Sequence, residues 1–184
     1  MRLPELFGIF KKKAEKLSSK NVKTLIGIYP RKQFTHPKAI DETPIEKWVG
    51  DFVVDNFEIE SLVGSPYEVT GNYDCGDNKL ISFEGISPII GRNIHASNNK
   101  FESLKDIEKH IKKMKGVLLL MGCPIKSHVL GLLKIDGLRG VGFDTQFVPS
   151  EVNEILNRHL KNGKDLLDCQ SELIDAGFYE YAKY

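Results

Sequence analysis

Three cysteines, Cys75, Cys123 and Cys169, are too few and too widely spread for a disulfide framework, and their number is odd. They read as reduced thiols, which makes the cytoplasm the expected setting. Long apolar runs are missing too. Nothing approaches the ~18 consecutive apolar residues that a bilayer-spanning helix requires. The apolar stretch at residues 3–10 is broken by Pro4, Glu5 and Gly8, and lysines follow it instead of preceding it, so no secretion signal is expected there. No His-Glu-x-x-His or Cys-x-x-Cys motif occurs, and His36, His95, His110, His128 and His159 stand at no metal-ligand spacing. Glycines at 137, 140 and 142 resemble a phosphate loop but lack its Lys-Ser/Thr ending. Asp168 beside Cys169 would raise that thiol's pKa, which disfavours a nucleophile. No paired carboxylates stand out. The expectation is therefore no catalytic residue, no metal and no cofactor, with an enzyme assembled from distant residues left as an alternative.

What is present is a soluble globular composition, 41% hydrophobic and 28% charged, on a chain long enough for one domain with a core. Charge is unevenly placed. Residues 1–49 carry eleven Lys/Arg against five Asp/Glu, whereas the rest carry fifteen against twenty. Lys11, Lys12, Lys13, Lys16, Lys20, Lys23, Arg31 and Lys32 make a basic patch that suits nucleic acid or an anionic membrane. A solvated lysine face is the plainer reading of the same residues.

The strongest signal is a repeat. Units begin near residues 51, 72, 93 and 117, two steps of 21 and one of 24. One column holds Phe52, Tyr73, Ile94 and Leu118, and the next holds Val54, Cys75, Ala96 and Leu120. A third holds Phe57, Asn78, Asn99 and Cys123, and a fourth Ile59, Leu80, Phe101 and Ile125. Serine recurs at 61, 82, 103 and 127. The pattern apolar-x-apolar-x-x-Asn/Cys-x-apolar is the heart of a leucine-rich repeat. Each unit is expected to give a short strand with its apolar residues turned inward, followed by an asparagine whose amide bonds turn groups that water cannot reach. Asn98, one place earlier than Asn99, is expected to point outward with no special demand. One unit cannot bury its own apolar face, so stability must come from stacking.

The fold class expected is α/β: a short leucine-rich-repeat solenoid with a parallel β-sheet on its concave face, a mixed extended and helical convex face, and a helical C-terminal cap. Glycine and proline at 64–66 and 85–88 predict extended or turning return paths in the first two units. Leu104, Ile107, Ile111 and Met114 predict a helix with Ser103 as its N-cap, and 127–135 a shorter one. Residues 1–49 read as a basic capping segment, with a helix at 4–17, a strand at 24–29, a loop at 33–40 and Trp48 shielding the first unit's edge. The array spans 50–145. In 146–184, Ser150 is expected to cap one helix, and a second runs over 164–175.

The repeat style, with Lys126-Ser-His-Val-Leu-Gly-Leu-Leu-Lys134 and Leu166-Leu-Asp-Cys-Gln-Ser-Glu-Leu-Ile-Asp-Ala-Gly-Phe178, resembles small leucine-rich-repeat proteins encoded by tailed bacteriophages. The likeness covers about residues 50–184. It implies a bacterial cytoplasm during infection and supplies no mechanism.

On the concave face, strand alternation turns Asp51, Val53 and Asp55, then Asn72, Asp74 and Gly76, then Asn93, His95 and Ser97 outward. Val117, Leu119 and Met121 follow, then Val141, Phe143 and Thr145. Val117–Met121 is apolar on both sides, so either the C-terminal helices or a partner must cover it, and the helices are the expectation. The function expected is protein binding, without catalysis, through Asp51, Val53, Asp55, Asn72, Asp74, Asn93 and His95. The alternative is a nucleic-acid or membrane-surface adaptor acting through the basic patch.

Overall fold

A computed structural model describes residues 46–163 and 165–184. The basic patch and the elements expected over 4–40 lie outside the described residues. From residue 47 onward the chain coils through two stacks of very short parallel strands. β1 (Lys47–Trp48), β3 (Glu68–Val69), β5 (Ile89–Ile90) and β7 (Lys113–Met114) form a four-stranded sheet in that order. β2 (Phe52–Val53), β4 (Tyr73–Asp74), β6 (Ile94–His95), β8 (Val117–Leu120) and β9 (Gly140–Phe143) form a five-stranded one. Every pairing is parallel, and consecutive strands of a sheet belong to consecutive turns. The fold is a parallel-sheet solenoid of about four turns with a few helices.

The inward columns pair in the register that the repeat dictates: Phe52 with Tyr73, Tyr73 with Ile94, and Ile94 with Leu118. These residues, with Val54, Cys75, Ala96 and Leu120, are buried. Asn78 then fills the corner. Its Oδ1 accepts from the N–H groups of Phe57 and Ile59, and its Nδ2 donates to the carbonyls of Val54, Cys75 and Gly76. Asn99 repeats the device one turn later with Leu80, Cys75, Ala96 and Ser97. Cys123 takes the same place in the next turn, accepting from the Asn99 N–H and donating to the Ala96 carbonyl. A buried backbone group left unpaired costs about 1–3 kcal/mol, so one amide that serves several of them holds two turns together. The serine column works more locally, since Ser61, Ser82 and Ser103 each accept from the N–H two residues on.

The return side departs from expectation in two ways. Residues 64–66 and 85–88 turn or run irregularly as expected, but the chain goes straight on into β3 and β5, strands of a second sheet that was not expected. The helix expected from 104 is only one turn, α1 (Ile107–His110). Asp106, in the left-handed region at φ 62, precedes it, and Ser103 caps nothing there. After α1 the N–H groups of Lys112 and Lys113 both reach the Pro88 carbonyl, which draws Lys113 and Met114 into β7. Leu104, Ile107, Ile111 and Met114 are all buried as the helical pattern required, but mostly from outside a helix. Residues 127–135 give a 3₁₀ helix, Leu130–Lys134.

Beyond β9 come α2 (Ser150–Lys161) and α3 (Leu166–Asp175). Ser150 begins α2 without capping it, since Pro149 holds the cap position and no side-chain bond forms. Asp165 does cap α3, accepting from the Asp168 N–H. Gly177, at φ 84, turns the chain after it. The last residues fold back on the array: the N–H groups of His128 and Val129 donate to the carbonyls of Glu180 and Tyr181.

Trp48 is buried against the ring of Phe52, edge-on at 5.2 Å, and its Nε1 donates to the Asp51 carbonyl. Phe83 and Phe101 stack at 4.5 Å one turn apart, and the buried hydroxyl of Tyr73 meets Ser65 Oγ at 2.6 Å. None of the described helices is long and apolar enough to cross a membrane.

Candidate interaction face

The outward side of the five-stranded sheet carries three rows of side chains, one for each position that alternation turns away from the core. Where the chain enters each strand stand Asp51, Asn72, Asn93 and Val117. Mid-strand the row is Val53, Asp74, His95, Leu119 and Gly142. Where the chain leaves, Asp55, Gly76, Ser97 and Met121 lie side by side, because Asn56, Asp77 and Asn98 donate to the carbonyls of Gly76, Ser97 and Met121. All seven residues singled out from the sequence, Asp51, Val53, Asp55, Asn72, Asp74, Asn93 and His95, therefore lie on one face.

Their roles differ. Asp51 Oδ1 accepts from the backbone N–H of Asn72 at 2.7 Å and from its Nδ2 at 3.1 Å. Asn72 Oδ1 accepts from the Asn93 N–H, and Asn93 Oδ1 from the Val117 N–H. The entry row is thus a second side-chain ladder running from turn to turn. The Asn72 backbone N–H, ahead of the opposing effect of burial, holds the Asp51 carboxyl below its ordinary value of 3.8. The sequence did show a carbonyl-bearing side chain recurring here, the same signal as the asparagine corner.

The other two rows are free of that duty. Asp74 faces His95 with Oδ2 and Nδ1 3.7 Å apart, while its Oδ1 accepts from the Gly76 N–H. Val53 is 51% exposed and Met121 44%, although their inward neighbours Phe52 and Leu120 are at 1% and 0%. Leu119 is half-buried and leans toward Gly142, where an added Cβ would lie 3.1 Å from its Cδ2.

The final turn corrects the sequence reading. Leu118 pairs with Val141 and Leu120 with Phe143, so Val141 and Phe143 belong to the core and Gly140 and Gly142 face outward. The C-terminal helices leave the apolar end only partly covered, with Val117 and Leu119 half-buried. α2 packs at β9 and reaches Gly140, where a Cβ would lie 3.0 Å from Asn157 Oδ1, but Met121 stays exposed. Asn157 had no sequence signal, being one polar residue on an amphipathic helix. Its carboxamide bonds both the N–H and the carbonyl of Val141, the two groups that another strand would take.

At the far end of each exit row, Asn56, Asp77, Asn98 and Gly122 all hold φ between 52 and 70. Asn98 is therefore not the undemanding surface residue the sequence suggested. Asn, Asp and Gly are the residues that tolerate this conformation, and their recurrence was the available clue.

Among the described residues no group of three or more His, Cys, Asp or Glu is placed to hold a metal ion. Burial pushes the Cys75 thiol far up, and Cys123 and Cys169 up to about 11, so all three are protonated at neutral pH. Comparison with protein-family models, curated proteins and solved structures finds no match.

Proposed function

We propose that the chain is a leucine-rich-repeat-like solenoid that binds another protein through the outward face of its five-stranded sheet, without catalysis. The carrying observation is that Val53 and Met121 stay exposed on a sheet whose opposite side is fully buried, with none of the described elements laid over them. The asparagine corner and the step of 21 residues support the leucine-rich-repeat reading, with α2 and α3 as its cap. The resemblance to phage proteins supports a modulator of a host or phage protein in the bacterial cytoplasm.

Asp55, Asp74 and His95 are the residues to test, because Asp51, Asn72 and Asn93 also hold the backbone together. Replacing the three by Ser should abolish capture of the partner from expressing bacterial cells and leave the melting temperature unchanged. Capture at the wild-type level by a variant that melts normally would remove this face from consideration.

A further inference from the structure

Gly76 sits in the middle of the exit row, and the fold does not require a glycine there. Its φ lies outside the left-handed region that favours glycine, and an added Cβ would meet only Asp74 Oδ1 and the Ser97 carbonyl, both at an ordinary 3.5 Å. Gly85 and Gly91 are different, since a Cβ on either would collide with the backbone of the preceding turn. Gly76 is itself buried and carries no side chain, so with the half-buried Ser97 beside it the row dips to a low saddle. Asp55 stands in the turn before Gly76, Asp74 beside Gly76 in its own turn with Oδ1 accepting from its N–H, and Leu119 and Met121 in the turn after Ser97. No lysine or arginine is ion-paired to Asp55 or Asp74 among the described residues.

We infer that this saddle seats an extended peptide segment of the partner, crossing the strands with a cationic side chain over Asp55 and Asp74 and an aliphatic one over Leu119 and Met121. The inference rests on the protein-binding reading and specifies its chemistry. Neighbouring strands lie ~4.8 Å apart, so three steps from Asp55 to Met121 span about 14 Å. In an extended chain, residues i and i+4 project to the same side about 13–14 Å apart. The middle residue, i+2, comes over Gly76 and Ser97 and must be small. The motif is therefore Arg/Lys-x-small-x-aliphatic. The acidic end of the face supplies charge complementarity and the apolar end supplies desolvation.

A short fluorescein-labelled peptide with Arg, Gly and Leu at these positions is titrated against the full chain by anisotropy. Binding should weaken about tenfold with Gly76→Val, whose Cβ meets no atom closer than 3.5 Å, and about as much with Asp55→Asn/Asp74→Asn. It should also weaken with salt, and be lost when Glu replaces Arg in the peptide. A peptide that binds Gly76→Val as well as wild type overturns the proposal, as does one that does not bind wild type at all. A photo-crosslinker placed at position 97 in the full chain separates the two levels. A mapped adduct with a segment lacking the motif rejects this chemistry and keeps the face, whereas neither peptide binding nor adduct rejects both.

Discussion

Asn157 of α2 accepts from the N–H of Val141 at 2.9 Å and donates to the carbonyl of the same residue at 2.8 Å. One side-chain amide does for the last strand what a neighbouring strand does for all the others, so the sheet ends without an open hydrogen-bonding position there. Asn157 is itself steadied by the carbonyl and side chain of Asn153. Asn157→Ala should therefore cost about 2 kcal/mol by urea denaturation, because two groups on a largely buried strand lose their partner. A loss under about 0.5 kcal/mol, the range of an ordinary surface substitution, would mean that water replaces the amide freely.

Asn98 and Asn99 are adjacent and chemically identical, but they hold the turn in different ways. Asn99 bonds buried backbone groups of two turns, while Asn98 supplies a left-handed conformation at φ 55 and a bond from its Nδ2 to Asp77 Oδ1. Asn99→Ala should cost about 3 kcal/mol and Asn98→Ala about 1 kcal/mol. Asn98→Gly should be nearly neutral, because glycine adopts that backbone freely. Urea midpoints of the three variants check the order. A larger loss for Asn98→Ala than for Asn99→Ala would displace the register of the whole array.

Ser87 is fully buried in a column otherwise occupied by Pro66 and Ile111, and its hydroxyl has no hydrogen-bond partner among the described residues. Its desolvation is uncompensated. Ser87→Ala removes the hydroxyl at little loss of volume and should raise stability by about 0.5–1 kcal/mol. A loss of more than about 1 kcal/mol would show that the hydroxyl is satisfied in solution, by a buried water for example.

Asp51 ties folding to pH. Its carboxyl is held below the ordinary 3.8 in the folded chain, mainly by the Asn72 N–H. A group depressed on folding contributes stability that is fully present above its unfolded value. That contribution is lost as pH falls through the lower folded value. The carboxyl carbon of Asp51, followed by NMR, should accordingly titrate with a midpoint below 3.8. A midpoint at or above 3.8 would mean that the entry ladder is open in solution.

Much of the solenoid was legible in the sequence. Phe52, Tyr73, Ile94 and Leu118 recur with the strand register because stacked turns must present the same side chain at the same height, and that constraint is written directly into the spacing. Asn78, Asn99 and Cys123 were legible for a related reason: a turn interior closed to water admits few side chains. The seven face residues followed from strand alternation alone, but their separation into a structural entry row and two free rows did not. An exposed Asp bonding the next turn's backbone looks, in sequence, like an exposed Asp awaiting a partner.

The rest was decided by neighbours in space. Two-residue strands are too short to show a period, so Lys47–Trp48, Glu68–Val69, Ile89–Ile90 and Lys113–Met114 became a sheet only by pairing with one another. The spacing of Leu104, Ile107, Ile111 and Met114 fitted a helix, but the Pro88 carbonyl and the strand before it drew the last of these into a sheet instead. Val141 and Phe143 turned inward because β8 fixed their register. Sequence by itself determined that turns stack and which side chains each turn buries, because burial is imposed one residue at a time. Tertiary structure decided how the backbone travels between those residues, because hydrogen bonds between turns outweigh the weak local preference of so short a segment.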